Sequence, residues 1–223
     1  MSICVPPNEQ LLGPLQAFAD SQTLKRALAA LQNGPFRFKR NNVIACEGDT
    51  ADYIFLVVSG VLRSCKTFRN GDRSVVAFYL PGDLFGWDDR KCPLSVEAAT
   101  EAIVIFLKRN GLVSLAIRES RVAAFLLSGT MSELRRAQER ALLMTRNATH
   151  RVAAFLSKWS QRCGKNEHIN IPMSYEDVAD YLGLTIETLS RTITKLEQSK
   201  LVTRESTRTL VVRSSFALTA LMD

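Results

Sequence analysis

The residues best suited to chemistry are Glu187, Ser190, Arg191 and Thr194, which recur at i, i+3, i+4 and i+7 and so share one face of a helix. That face carries a carboxylate, a guanidinium and two hydroxyls. Arginine can donate to O6 and N7 of guanine, glutamate can accept from N4 of cytosine, and hydroxyls can meet either, so the set suits base edges in a DNA major groove. Leu189, Ile193 and Leu196 form a second, apolar stripe on the same segment. A helix that packs on one side and offers the other to a duplex needs both stripes. Ile186, just before the glutamate, is placed to touch a thymine methyl.

Those side chains need an element in front of them to hold the helix. Ser174, with Asp177 three residues on, is an N-cap signature, and the helix it starts would turn Val178, Ala179 and Leu182 inward. Gly183 supplies the permissive backbone of a helix end, and Thr185 can cap the next helix. The stretch from Ser174 to Lys200 is thus expected to be two short helices joined by a tight turn. A helical hairpin with a merely solvated face would show the same spacing. Candidate phosphate contacts are Ser174, Thr185, Thr188, Thr194, Lys195, Lys200 and Arg208.

The run ADYLGLTIETLSRTITKLEQSKLV resembles the helix-turn-helix of the CRP/FNR superfamily of bacterial transcription regulators, and its E-T-L-S-R core resembles the FNR and FixK branches. The resemblance implies that Glu187, Ser190 and Arg191 read a TTGAT-type half-site. Thr192 departs from the pattern, standing where an aliphatic residue often sits, although its methyl can still pack.

Composition agrees without being decisive. The net charge is +7 over 223 residues, with an isoelectric point near 9.4, which favours a polyanionic partner. The excess is not confined to one half, since from Arg146 onward there are eleven basic and eight acidic residues. The local feature is the series Arg191, Lys195, Lys200, Arg204, Arg208 and Arg213, set against only Glu197 and Glu205. No apolar run reaches the roughly 20 residues that span a bilayer. MSICVPPNEQ lacks the layout of a secretory signal, so a soluble cytoplasmic protein with no membrane partner is expected. Cys4, Cys46, Cys65, Cys92 and Cys163 are scattered and odd in number, as suits reduced thiols rather than a disulfide framework.

Upstream, a helix is expected from Gln22 to Gln32, ending near Asn33-Gly34-Pro35. From Phe36 to about Leu115, short apolar or alternating runs broken by turn signals predict an antiparallel sandwich or jelly roll, with Asn70-Gly71-Asp72 as a hairpin turn. Glu47-Gly48-Asp49, Gly60 and the Pro81 to Gly86 run resemble the turn glycines of the superfamily's cyclic-nucleotide-binding barrel. The clamp for such a nucleotide is absent. Where cyclic-AMP-binding members carry Gly-Glu-Leu and then Arg-Ser or Arg-Thr, this chain has Gly86-Trp87-Asp88-Asp89 and then Pro93 to Ala98, in which Glu97 would repel a phosphate. Asp88 and Arg90 fit a solvated turn instead. An iron–sulfur cluster wants closely spaced thiolates, and Cys4 has no neighbours. His150 and His168 fall outside the barrel with no second ligand at metal-binding spacing, so no cofactor and no metal are expected.

Ala124, Leu127, Met131, Leu134, Gln138 and Ala141 step by three and four along a long helix between about Ser120 and Thr145, as in a coiled-coil seam. Val122, Phe125, Leu126 and Gly129 face elsewhere and would lie against the barrel. Burial of the seam under the C-terminal part of the same chain is the alternative; the resemblance implies a homodimer. After a hinge at Asn147 and Thr149 comes a helix with Val152, Phe155, Leu156 and Trp159 as its core face, ending at Cys163-Gly164-Lys165. A strand over His168 to Pro172 and a wing built from Leu201-Val202 and Thr209 to Val212 follow. No role is assigned to the tail SFALTALMD.

The expected architecture is therefore α+β: an N-terminal antiparallel β jelly-roll barrel with its leading helix over 1–117, a dimerisation helix over 118–145, and a winged helix-turn-helix over 146–223. A homodimer would set its recognition helices about 34 Å apart and call for a palindromic operator. The FixK resemblance implies an activator of low-oxygen respiration or nitrogen-fixation genes, with RNA polymerase as protein partner and no catalytic activity. The rivals are a small-molecule- or redox-operated repressor of the same fold, with Cys65 and Cys92 as the thiols to consider, and an enzyme on a jelly-roll barrel, which would need clustered catalytic residues inside it.

Overall fold

The computed structural model describes residues 29–87, 90–163, 168–206 and 208–213. By packing, the chain divides into two units: Met1–Phe68 with Ala77–Leu134, and Arg69–Val76 with Arg135–Asp223.

The first unit is built on two four-stranded antiparallel sheets, ordered β1-β8-β3-β6 and β2-β7-β4-β5. The strands are β1 (Gln32–Phe38), β2 (Val43–Ala45), β3 (Tyr53–Ser59), β4 (Leu62–Thr67), β5 (Arg73–Tyr79), β6 (Leu84–Phe85), β7 (Ser95–Ala98) and β8 (Ala102–Lys108). The run that starts at Tyr53 reads as one apolar stretch, yet it is two strands in different sheets. Gly60 makes the break at φ +80°, where any Cβ would collide with the Glu101 carbonyl oxygen. Strands β3 and β8 lack polar alternation because both their faces are covered. Phe55, Val57 and Val104 point between the sheets, where Phe55 stacks on Phe85 at 4.8 Å and Phe85 on Tyr79 at 4.6 Å. Ile54, Leu56, Ile105 and Leu107 point the other way, onto helices.

Those helices are α1 (Arg109–Arg118) and the first half of α2 (Ser120–Met144). Leu112, Val122 and Phe125 are buried against the sheet, joined by Leu126, on the face expected to meet the barrel. Gly129 completes that face: Trp87 lies so close that a Cβ there would strike its indole.

Three local expectations are corrected. Residues 29–31 are helical, but Gln32 already belongs to β1, which runs through Asn33-Gly34-Pro35 and pairs with β8 across a register shift; the rest of the proposed Gln22–Gln32 helix lies outside the described residues. The sheet pairing available to Gln32 outweighs the stop signal after it. Within the stretch from Phe36 to about Leu115, strands stop at Lys108 and a helix follows, because Leu112, Leu115 and Ala116 pack at helical spacing once Arg109 is anchored on the carbonyls of Ala51, Gly86 and Trp87. Glu97 is no free carboxylate: it faces Arg63 across β7 and β4 and accepts from its Nε at 3.1 Å and Nη2 at 2.8 Å. Asp88 lies outside the described residues.

In the second unit, α3 (Ala148–Cys163) starts where the Asn147 side chain accepts from the His150 amide. It buries Val152, Phe155, Leu156 and Trp159, the face expected for it. A three-stranded antiparallel sheet, β10-β11-β9, is formed by β9 (His168–Asn170), β10 (Val202–Arg204) and β11 (Thr209–Val212). The tail after Arg213 lies outside the described residues.

Gly60→Ala should lower the unfolding free energy by about 1 to 3 kcal/mol, since a side chain at that φ is strained and has no room. Urea titration should show the midpoint falling with the slope unchanged.

Candidate nucleic-acid interface

Two helices carry the candidate site, α4 (Tyr175–Tyr181) and α5 (Ile186–Gln198). Each is capped by the residue its sequence offered. The Ser174 hydroxyl oxygen accepts from the Asp177 amide at 3.1 Å, and that of Thr185 accepts from the Thr188 amide at 3.2 Å. Between them Gly183 takes φ +61°, and Leu184 donates to the Ala179 carbonyl at 2.9 Å, closing the turn.

Burial decides which face of α5 turns outward. Leu189, Ile193 and Leu196 are almost fully buried, with Thr192 beside them. The Thr192 hydroxyl donates to the Thr188 carbonyl at 2.7 Å, so this departure from an aliphatic residue is absorbed inside the helix. Glu187, Arg191, Thr194 and Lys195 are exposed, Ser190 is half-buried between the stripes, and Ile186 is exposed at the leading end. The four polar residues at i, i+3, i+4 and i+7 thus share one open face.

Glu187 and Arg191 are preset. The Glu187 amide and the Thr185 hydroxyl donate to the Glu187 carboxylate and, with help from Arg191, hold it below the usual carboxylate range, so it stays an acceptor under mildly acidic conditions. Arg191 Nε donates to the Glu187 backbone carbonyl at 3.3 Å, which steadies the guanidinium on the same face of the helix.

The phosphate candidates do not form one cluster. Ser174, Ile186 and Arg208 line a concavity together with Met173, Tyr175 and Glu176. Arg208 reaches it from the wing, with Nη1 donating to the Pro172 carbonyl at 3.4 Å. Since the Ser174 oxygen serves the cap as an acceptor, its proton remains available to an anion. Thr185 and Thr188 share a 3.0 Å hydroxyl contact at the start of α5. Lys200 sits beyond the far end of the helix at φ +57°, about 20 Å along the axis from Ile186 at 1.5 Å per residue.

Within the basic series, Arg204 is committed to Glu197 and Arg213 Nε donates to Thr203. Neither pairing is legible in the linear order of the residues. Also unforeseen were Tyr175, whose phenol is pushed up by burial, and the carboxylate of Glu176 at the rim of the concavity. Their one sequence signal was their place directly after the Ser174 cap.

On the long helix, Ala124, Leu127, Met131, Leu134, Gln138 and Ala141 are all exposed, with Leu127 at 58 % and Met131 and Leu134 each at 49 %. Of the cysteines, Cys65 and Cys92 are buried and Cys46 is exposed. Among the described residues, no group of three or more His, Cys, Asp or Glu could hold a metal ion, and no helix is long and apolar enough to cross a membrane.

Comparison with known proteins places these features in context. Residues 150–221 match the Crp-like helix-turn-helix domain, and residues 35–119 match the Cyclic nucleotide-binding domain. The nitrogen fixation regulation protein FixK of Azorhizobium caulinodans is 37% identical over 90% of this chain and 84% of its own length. The transcriptional activatory protein AadR of Rhodopseudomonas palustris is 32% identical over 86% of this chain and 79% of its own. The solved structure of FixK2 from Bradyrhizobium japonicum superposes with a TM-score of 0.81 at 35% identity, covering 84% of this chain and 96% of that one.

Arg191→Ala is expected to cost about 1 to 3 kcal/mol of binding and to relax preference at one G·C pair, checked by competition among single-base operator variants. Lys200→Ala should weaken all duplexes alike and flatten the salt dependence of the affinity, measured by titration at several salt concentrations.

Proposed function

This chain belongs to the FixK branch of the CRP/FNR superfamily and is a DNA-binding transcription regulator; we propose that it is an activator of low-oxygen respiration or nitrogen-fixation genes, working as a homodimer on a TTGAT-type inverted repeat. The observation that carries the reading is the open face of α5, which presents the Glu187 carboxylate and the Arg191 guanidinium together, opposite a buried apolar stripe. In this reading Glu187, Ser190 and Arg191 take base edges, with Ile186 against a thymine methyl. Ser174, Thr185, Thr188, Thr194, Lys195, Lys200 and Arg208 take phosphates.

The seam of α2 supports the dimer. Leu127, Met131 and Leu134 form an exposed apolar line on a helix whose opposite face is already packed, and a second copy of the same helix would cover it. RNA polymerase is the protein partner of such an activator, and the cytoplasm its compartment. The protein performs no catalytic step of its own.

A small-molecule- or redox-operated repressor of the same fold is the competing reading, and Trp87 speaks against its small-molecule form. Its indole fills the space over Gly129 on α2, so that no small molecule fits between them.

The palindromic duplex should bind at least about a thousandfold more tightly than a scrambled one at near-physiological salt. Equal affinity for the two would sink the proposal. Leu134→Glu should give monomers in sedimentation, and a persistent dimer would rule out this seam.

A further inference from the structure

Arg151, in the first turn of α3, spans parts of the chain that are far apart in sequence. Its Nη2 donates at 2.7 Å to the carbonyl of Met144, the last residue of α2, and its Nε at 2.8 Å to that of Arg146 in the linker. Its Nη1 donates to the carbonyls of Leu182 and Gly183, at 3.0 and 3.3 Å, in the turn between α4 and α5. One planar fork therefore closes on carbonyls at the ends of two helices.

The final carbonyls of a helix have no partner within it and carry the negative end of its dipole. Two such ends converging on one spot repel each other and would need water or a cation between them. A guanidinium answers both needs, and its rigid donor directions fix where each carbonyl stands. Arg140 of α2 adds a second grip one residue earlier: its Nη2 donates to the Tyr181 carbonyl at 3.4 Å while its guanidinium lies 5.4 Å from the Tyr181 ring centre. Three successive carbonyls at the end of α4 thus receive arginine donors that reach back toward the helix of the proposed seam. Gly183 suits this closeness, since a Cβ there would come within 3.2 Å of Arg151 Nη1 and 3.5 Å of Met144 Sδ.

We propose that Arg151 is a positioning residue for operator spacing: by tying the end of α2 to the turn of the helix-turn-helix, it sets how far from the dimer axis each recognition helix stands. The idea rests on the reading of a dimer on an inverted repeat. Arg151 itself touches no base, so its loss should leave recognition of one half-site intact and degrade the simultaneous fit of two, where the gain from linked binding depends on geometry. Lysine keeps the charge but not the fork, and methionine keeps only the length.

The test compares the full-length wild type with Arg151→Lys and Arg151→Met on three duplexes: the palindrome, the palindrome with two base pairs inserted at its centre, and a single half-site. For both variants, affinity for the palindrome should fall about tenfold, half-site affinity should stay within about twofold, and the preference for the original spacing over the inserted one should shrink at least about fivefold. An unchanged preference in a folded, dimeric variant overturns the proposal. So does a parallel loss on palindrome and half-site, or failure of both variants to unfold cooperatively, since either would make Arg151 a fold requirement only. A wild type that ignores spacing altogether would instead defeat the underlying dimer reading.

Discussion

The burial of one stripe of α5 is the constraint on which the interface depends. Fully burying a leucine or isoleucine stabilises by about 1.5 to 3 kcal/mol, so Leu189, Ile193 and Leu196 together outweigh the roughly 1 kcal/mol of a helix cap. Rotation of the helix about its own axis is thereby fixed, and Glu187, Arg191 and Thr194 have no choice but to face outward. Thr185 then acts at a finer level. Its oxygen caps α5 and its proton steadies the Glu187 carboxylate, so one hydroxyl both starts the helix and presets the group proposed to read a base.

The same logic of covered faces explains the first unit. Strands β3 and β8 carry apolar residues on both sides because aromatic rings fill one side and helices α1 and α2 the other. A helix packed there by Val122 and Phe125 has its remaining apolar line turned away, and that line is the proposed seam. Trp87 and Gly129 show how tight this packing is: a large ring was accommodated by removing a side chain opposite it.

Charge counts were the poorest guide. The series of basic residues after Arg191 looked uniform in the sequence, yet Arg204 is held by Glu197 whereas Arg208 turns into the concavity beside Ser174. Glu97, which looked hostile to a phosphate, is neutralised by Arg63 on the neighbouring strand. Whether a charge can meet a ligand depends on its nearest counter-charge in space, about which linear order says little.

What the sequence determined by itself was local. Caps at Ser174 and Thr185, the left-handed turn at Gly183, the two stripes of α5 and the Asn70-Gly71-Asp72 turn depend on residues within about one turn of each other, and the physics that selects them acts at that range. What only the tertiary structure decided was which distant groups meet. That β1 begins at Gln32 depends on pairing with β8, that Arg109 opens a helix depends on carbonyls at Ala51, Gly86 and Trp87, and that Arg151 joins two helix ends depends on Met144 and Leu182 being brought together. A lone arginine in a helix carries no mark of the carbonyls it will serve, because backbone acceptors are the same at every residue and folding alone chooses among them.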